Sequence, residues 1–199
     1  PPPPPLARPP RHREAARLRL DARAGAAGDQ AYTTGATPLR IACQQGHVDV
    51  AWLLLEKGAD PFATLEGSPP VHIACTMASF AKFREASLEM VKVLLPHLTR
   101  HDVEDDYHRT AMNIAAQHGS KEICAYLIQN YEAPNEEDDL KAYLNQKDRS
   151  GRTALIWAAN YNRADVVELL LENDSSMLND TDNDGNTALI HAVRNNSAE

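Results

Sequence analysis

The chain has 199 residues, enough for one elongated domain and a tail, and its formal net charge is −8. The charge is uneven, because residues 1–23 hold six arginines against Glu14 and Asp21, which leaves 14 basic against 26 acidic residues in the rest. A body this acidic repels phosphate, so we expect no nucleic-acid partner and favour a protein with a basic surface or a basic peptide. No stretch approaches the roughly 18 apolar residues of a membrane span.

Residues 1–31 are rich in Pro, Arg and Ala and predict a disordered or irregular N-terminal segment. Two alternatives stay open for it. Its prolines could be a ligand for a proline-recognition domain, or residues 14–24 could form a helix that caps the domain that follows.

Residues 37–60 contain the first pair of predicted helices. Thr37 is a suitable N-cap, and Pro38 suits the first helical position because no backbone N–H is needed there. Gly46 and Gly58 end the two helices, since the residue past a helix end often adopts positive φ. Each helix is shorter than the roughly 12–15 residues that make an isolated helix even marginal, so each must bury an apolar face against a neighbour.

The same pattern returns four times along the chain. Counted from Thr37, the equivalent positions are Pro69, Thr110, Thr153 and Thr187, at steps of 32, 41, 43 and 34 residues. A helix pair that recurs at such steps predicts a stack of repeats with one continuous core.

This pattern resembles the ankyrin repeat, which has a period of about 33 residues and the signature Thr-Pro-Leu-His-x-Ala. The strongest copies are residues 37–60 and 151–171, and the resemblance covers about residues 32–199. It implies an all-α fold, an ankyrin-repeat solenoid of helix-turn-helix units joined by β-hairpin loops. The expected repeats are residues 32–63, 64–104, 105–147, 148–181 and a truncated 182–199. The last copy lacks its second helix, so we expect a fragment with further repeats or a frayed end.

Some positions depart from the signature. Arg40, Asn113 and Ile156 stand where the signature has His, which puts the hydrogen bonds of that His between turns in question. His108 stands where a hairpin usually has Gly and is expected to adopt positive φ with some strain.

Two repeats carry insertions relative to the family period. In the second, residues 78–86 lengthen either the inner helix or the corner between helices, and Phe80 and Phe83 would share a face. We expect both rings to fold back on the core; an exposed pair would instead indicate a contact site. In the third, residues 131–144 contain an acidic run, with Asn135 as a plausible helix cap. Leu140, Tyr143 and Leu144 would then dock on the stack.

The sequence lacks the motifs that are typical of catalytic and metal-binding sites. Asp182 and Asp184 lie in a run that imitates the start of an EF-hand loop, but its twelfth position is His191 instead of Glu, so calcium is rejected. Metalloprotease, phosphate-loop and nucleophile-elbow motifs are missing from the sequence. We therefore expect no catalysis, no cofactor and no metal site.

The three cysteines, Cys43, Cys75 and Cys124, fall in the apolar register of the helices. Free core thiols favour a reducing compartment, cytoplasmic or nuclear. The leucines expected in the core are Leu39, Leu54, Leu127, Leu155 and Leu170.

The resemblance implies a monomeric protein-interaction module that binds through hairpin tips and the concave surface of the inner helices. The alternative is a targeting or regulatory region of a larger enzyme or channel. The predicted partner-binding residues are Met77, Tyr107, Arg109, His118, Arg149, Arg152, Tyr161, Gln44, Gln45, Gln117 and Asn160. We expect Met77, Tyr107, His118, Arg149, Arg152 and Tyr161 to face outward. Asn179 either satisfies backbone groups of a hairpin, the favoured reading, or is a site of asparaginyl hydroxylation.

Overall fold

The computed structural model describes residues 37–64, 67–98, 102–131 and 140–196. The predictions for residues 1–31, for Asn135 and for the acidic run therefore lie outside the described residues. The described part contains ten α-helices and no extended strand. They are α1 Pro38–Gln45, α2 Val48–Glu56, α3 Pro70–Met77, α4 Arg84–Leu94, α5 Ala111–His118, α6 Lys121–Gln129, α7 Leu140–Leu144, α8 Ala154–Asn160, α9 Ala164–Asn173 and α10 Ala188–Asn196.

The helices form two layers. The inner layer stacks α1, α3, α5, α8 and α10 in chain order, and each of the first four packs against its own outer helix, α2, α4, α6 or α9. The all-α repeat solenoid expected from the sequence is confirmed. None of the described helices is long and apolar enough to cross a bilayer.

The helix ends follow the capping chemistry of the sequence. Thr37, Thr110 and Thr153 each accept the backbone N–H three residues further on. Gly46 and Gly119 end the first and third inner helices in the left-handed region, and Asn162 takes that conformation after α8 with φ of 53°. The hairpins between repeats are single antiparallel bridges, Glu104–Thr110 and Thr181–Thr187, in the described residues.

The core lies between the two layers and contains the predicted leucines. Leu39, Leu54, Leu127, Leu155 and Leu170 are all buried, and Leu39 and Leu170 are 0% exposed. The three cysteines are also buried and are free thiols.

The insertion of repeat two lengthens the corner and leaves the inner helix unchanged. Helix α3 ends at Met77, and a 3₁₀ turn, Ala81–Phe83, leads into α4. Phe83 is half-buried beside Gly46, whereas Phe80 is 52% exposed. The expectation that both rings fold back on the core is therefore wrong for Phe80, because the turn sends the two side chains in different directions.

The insertion of repeat three returns to the stack through α7. Tyr143 and Leu144 are buried and Leu140 is half-buried, as predicted. The Tyr143 ring stacks on Tyr131 with a centroid distance of 4.8 Å. Burial raises the pKa of the Tyr143 hydroxyl well above its ordinary range.

Candidate functional site

The hairpin tips of repeats three to five share one construction, centred on Asp105, Asp148 and Asp182. In each, Oδ1 of the aspartate accepts the backbone N–H groups two and four residues further on, at 2.8–3.0 Å. The aspartate's own N–H donates to the carbonyl four residues further on. The residue three positions after the aspartate has positive φ, 57° at His108 and 76° at Gly151. Each tip is thus a turn closed by hydrogen bonds between its aspartate and its own backbone.

In repeats four and five, the second oxygen of the aspartate ties the tip to the inner helix. Asp148 Oδ2 accepts the indole N–H of Trp157 at 3.0 Å, and Asp182 Oδ2 lies 2.8 Å from Nε2 of His191. Repeat three has Ile114 at that inner-helix position, so Asp105 Oδ2 instead pairs with the Arg109 guanidinium at 2.8 Å. The tips of repeats four and five are therefore bonded to their inner helices, whereas the bond of Asp105 closes within its own tip.

Neighbouring tips are bonded to one another. The Tyr107 carbonyl accepts the backbone N–H of Arg149 at 2.9 Å, and the Ser150 carbonyl accepts that of Asn183 at 3.0 Å. Gly151 is required at this junction, because a Cβ there would lie 2.4 Å from the side-chain oxygen of Asn183. The three tips form one continuous edge, which we call the tip edge: residues 105–109, 148–152 and 182–186.

A pocket of about 200 Å³ opens between the third and fourth tips. The arginine–aromatic pocket, as we call it, is lined by Tyr107, Arg109, Asp148, Arg149, Ser150, Arg152 and Trp157. The Arg152 guanidinium lies 4.8 Å from the centroid of the Trp157 ring, and that ring stacks on Tyr161 at 5.9 Å. The Arg109 guanidinium lies 5.3 Å from the Tyr107 ring. Guanidinium groups over ring faces gain cation–π attraction, which holds the long side chains in place.

The predicted partner-binding residues fall into two groups by exposure. Tyr107, Arg149, Tyr161, Gln44 and Gln45 are exposed. Half-buried are Met77, Arg109, His118, Arg152, Gln117 and Asn160. The outward orientation expected of six side chains is thus found in full for Tyr107, Arg149 and Tyr161 and in part for Met77, His118 and Arg152.

Some predicted binding residues have partners inside the stack. The Gln117 carbonyl accepts Nε of Arg163 at 3.2 Å, and the Asn160 side chain bonds His191 at 3.0 Å and also Asn195. Burial and the neighbouring cations Arg163 and Arg109 lower the pKa of His118 below its ordinary value. The contacts of Asn160 join α8 to α10, and the contact of Gln117 joins α5 to the residue that precedes α9.

The bond made by the signature His survives at two repeats with different donors. Nε2 of His72 donates to the Arg109 carbonyl at 2.8 Å. Arg40 makes the equivalent bond one repeat earlier, from its guanidinium to the Ser68 carbonyl at 3.3 Å. The bond that the sequence put in question at Arg40 is therefore present, because the longer side chain of Arg40 reaches the next tip.

Asn113 and Ile156 do not reproduce that bond. Asn113 turns back to its own helix end, where its side-chain oxygen accepts the Thr110 N–H at 2.8 Å. Ile156 is 0% exposed and serves the core.

Two elements of the site escaped the sequence analysis, the tip aspartates and Trp157. The signal for the aspartates was present, because each lies five residues before the capping Thr of its repeat. Trp157 lies at a buried position of α8, so the sequence predicts a core residue. Its contribution to the pocket follows only from its hydrogen bond to Asp148 and its contact with Arg152.

Asn179 ends the 3₁₀ turn Ser175–Asn179 and is exposed. The backbone groups of the adjacent hairpin are bonded by Asp182 instead, so the hairpin role expected of Asn179 is wrong. Hydroxylation of Asn179 stays a prediction.

Comparison with known proteins agrees with this geometry. The family model described as "Ankyrin repeats (3 copies)" matches residues 63–138 and 138–199, and that described as "Ankyrin repeat" matches residues 34–64. The chain is 28% identical over 144 residues to inversin of Canis lupus familiaris and of Homo sapiens, an alignment over 72% of this chain and 12% of each inversin. It is 31% identical over 144 residues to the ankyrin repeat and KH domain-containing protein mask-1 of Caenorhabditis elegans, over 72% of this chain and 5% of mask-1. The chain thus spans a small part of the length of these relatives. With the family matched from residue 34 to residue 199, the chain belongs to the ankyrin repeat family.

Proposed function

We propose that this chain binds a partner protein through the tip edge and the adjoining concave face of the inner helices. Ankyrin repeats are protein-interaction modules. The observation that carries the proposal is the exposure of Tyr107, Arg149 and Tyr161 beside backbone fixed by hydrogen bonds. Tyr and Arg side chains dominate the binding energy of many interfaces. Groups that are already ordered lose little entropy on binding.

We also propose that this chain acts by binding alone, as a monomer in the cytoplasm or nucleus. Ankyrin repeats are generally non-catalytic. Burial raises the pKa of the Cys43 and Cys75 thiols to about 12, which keeps them protonated and unreactive. Such thiols suit the cytoplasm or nucleus. A partner with a basic surface, favoured by the net charge, stays a proposal for the acidic surface away from the arginine–aromatic pocket.

A second candidate is a targeting or regulatory region of a larger enzyme or channel. Its support is the length of the relatives, since the aligned region is 12% of inversin and 5% of mask-1. Mass spectrometry of the endogenous protein would decide between the two, because a targeting region must be found in a longer polypeptide with its own activity.

The test is an affinity capture from cell lysate with the immobilised chain. The variant Tyr107→Ala/Tyr161→Ala/Arg152→Glu removes the two exposed rings and reverses one charge. A matched control, Glu56→Ala/Gln129→Ala/Glu172→Ala, changes three exposed residues of the outer helices α2, α6 and α9. Circular dichroism must show that both variants are folded.

We expect the wild type and the outer-helix control to retain a protein that the triple variant loses. If all three retain the same proteins, binding lies elsewhere and the assignment to the tip edge is wrong. If only the outer-helix control loses them, the convex face is the binding surface.

A further inference from the structure

Two arginines of the arginine–aromatic pocket have no carboxylate partner in the described part of the chain. Among residues 102–131 and 140–196, Arg109 pairs with Asp105 and Lys121 with Glu168, and two histidine rings lie within hydrogen-bonding distance of carboxylates. Neither Arg149 nor Arg152 takes part in these pairs. Arg149 is exposed, and Arg152 is half-buried over Trp157.

The acidic residue that lines the pocket is already engaged. Asp148 is 8% exposed, and its carboxylate accepts the N–H groups of Ser150 and Arg152 and the indole N–H of Trp157. Its lone pairs serve the turn, so it offers Arg149 and Arg152 no ion-pair partner. The pocket therefore presents two cations beside a carboxylate whose bonding capacity is largely used.

Arg152 has unmet bonding capacity. Its Nε is a buried donor with no acceptor among the described residues, and a buried unpaired donor is a cost that a bound acceptor could relieve. The Trp157 ring, 4.8 Å from the guanidinium, holds the side chain in the pocket through cation–π attraction. The planar fork of a guanidinium suits bidentate recognition of a carboxylate.

We propose that the arginine–aromatic pocket binds the side-chain carboxylate of an Asp or Glu in an acidic segment of a partner protein. Arg149 and Arg152 would pair with the carboxylate, and the exposed Tyr107 ring would contact the neighbouring residue of that segment. This inference rests on the proposed function and names the partner chemistry at one part of the tip edge. An acidic partner segment differs from the basic partner expected from the net charge. The reason is that the two unpaired arginines make the pocket locally positive.

An acidic peptide fits better than a nucleic acid. Residues 24–199 carry 14 basic against 26 acidic residues, so a polyanion that extends beyond the pocket meets a net negative charge. The pocket is also small, with a volume of about 200 Å³. One or two carboxylates within an otherwise uncharged segment match both facts.

The test is a selection of random peptides displayed on phage against the immobilised full chain. Parallel selections use Arg149→Gln/Arg152→Gln and the matched control Lys82→Gln/Arg84→Gln, which removes two charges from the exposed corner of repeat two. We expect wild type and control to enrich peptides that share an Asp or Glu, and the pocket variant to lose them. A selected peptide is then synthesised with its acidic residue and with the matching amide, and its binding is measured by fluorescence anisotropy.

The wild type should bind the amide peptide at least about tenfold more weakly than the acidic peptide. The variant Arg149→Gln/Arg152→Gln should bind the two peptides with equal affinity. Arg152→Lys keeps the charge and loses the fork, so it should bind the acidic peptide with intermediate affinity. The single variant Arg149→Gln changes only an exposed side chain, so it tests the pocket even if changes at Arg152 impair folding. The affinity of this single variant for the acidic peptide should also fall.

Three results would overturn the inference: no acidic enrichment, the same acidic peptides on the pocket variant, or tighter binding of an oligodeoxythymidylate that displaces the peptide. If uncharged peptides are enriched and depend on Tyr161, the inference fails while the proposed function stands. If the wild type enriches no peptide, the inference also fails, and the lysate capture alone decides the proposed function.

Discussion

The indole nitrogen of Trp157 donates a 3.0 Å hydrogen bond to Oδ2 of Asp148. Since Oδ1 of the same carboxylate accepts the N–H groups of Ser150 and Arg152, one side chain joins the tip of repeat four to its inner helix α8. The same bond keeps Trp157 in place beneath the Arg152 guanidinium. The shape of the arginine–aromatic pocket thus depends on a residue that has little contact with solvent.

Replacing Asp148 by Ala should lower the free energy of unfolding by about 2–4 kcal/mol, because three donors lose their acceptor. Urea unfolding followed by circular dichroism measures the change. The control is Asp184→Ala at the exposed tip of repeat five, which should change stability by no more than about 0.5 kcal/mol. Equal losses in the two variants would show that Asp148 has no special place in the turn.

The positive-φ residues of the third and fourth tips offer a pair of opposite changes. His108 has φ of 57°, a conformation that costs an ordinary residue about 1–2 kcal/mol, whereas Gly adopts it freely but loses about 0.5–1 kcal/mol through its flexible unfolded state. His108→Gly also removes an exposed contact to Glu104 that contributes little. We expect His108→Gly to raise the free energy of unfolding by up to about 1 kcal/mol.

Gly151→Ala should act in the other direction and destabilise the fold by more than about 1 kcal/mol, because its φ is 76° and the new Cβ would strike Asn183. Thermal unfolding of both variants decides the matter. Changes of the same sign in the two variants would contradict this account of the tips.

Much of the fold could be predicted from the sequence because it depends on local rules. Apolar spacing placed Leu39 and Leu155 in the core, and Thr and Gly marked the helix ends. The corner at Phe80 was harder, since a 3₁₀ turn and a longer helix suit the same residue types.

The site was less predictable because its contacts join distant residues. Gln117 and Asn160 lie at groove positions in the repeat register, but Arg163 and His191, 46 and 31 residues further on, engage them. Similarly, Arg40 keeps the bond of the signature His only because the Ser68 carbonyl is within its reach. The choice of binding residues within the tip edge and groove therefore stays a prediction.

Core packing between the inner helices gives a third prediction. Leu155 is 1% exposed on α8, which packs between α5 and α10, so Leu155→Ala should cost about 2–5 kcal/mol of stability. Leu189 on α10 is 71% exposed, and Leu189→Ala should change stability by no more than about 0.5 kcal/mol. Urea midpoints of the two variants test this, and a large loss in Leu189→Ala would mean that its face is covered in solution.

His72 should make the stability of the stack depend on pH. The ring is 1% exposed, its Nε2 donates to the Arg109 carbonyl, and its Nδ1 has no partner in the described residues. Burial lowers the pKa of His72 below its ordinary value of 6.5, although the bond to the Arg109 carbonyl and the charge of Asp105 oppose the shift. The folded protein therefore keeps this ring neutral at pH values where the unfolded chain binds a proton.

The contribution is fully present above about pH 6.5, and it falls as the pH drops toward the lowered pKa of the folded state, with a limiting slope of about 1.4 kcal/mol per pH unit. Urea unfolding from about pH 7.5 to about pH 5.5 should show this loss, to which His118 also contributes because its pKa is lowered as well. His72→Asn should reduce the slope even if it lowers stability at every pH. If the free energy of unfolding of His72→Asn keeps the same slope against pH, another group causes the pH dependence. The lost hydrogen bond of His72 lowers stability at every pH, whereas only the loss of its titrating ring changes the number of protons taken up on unfolding.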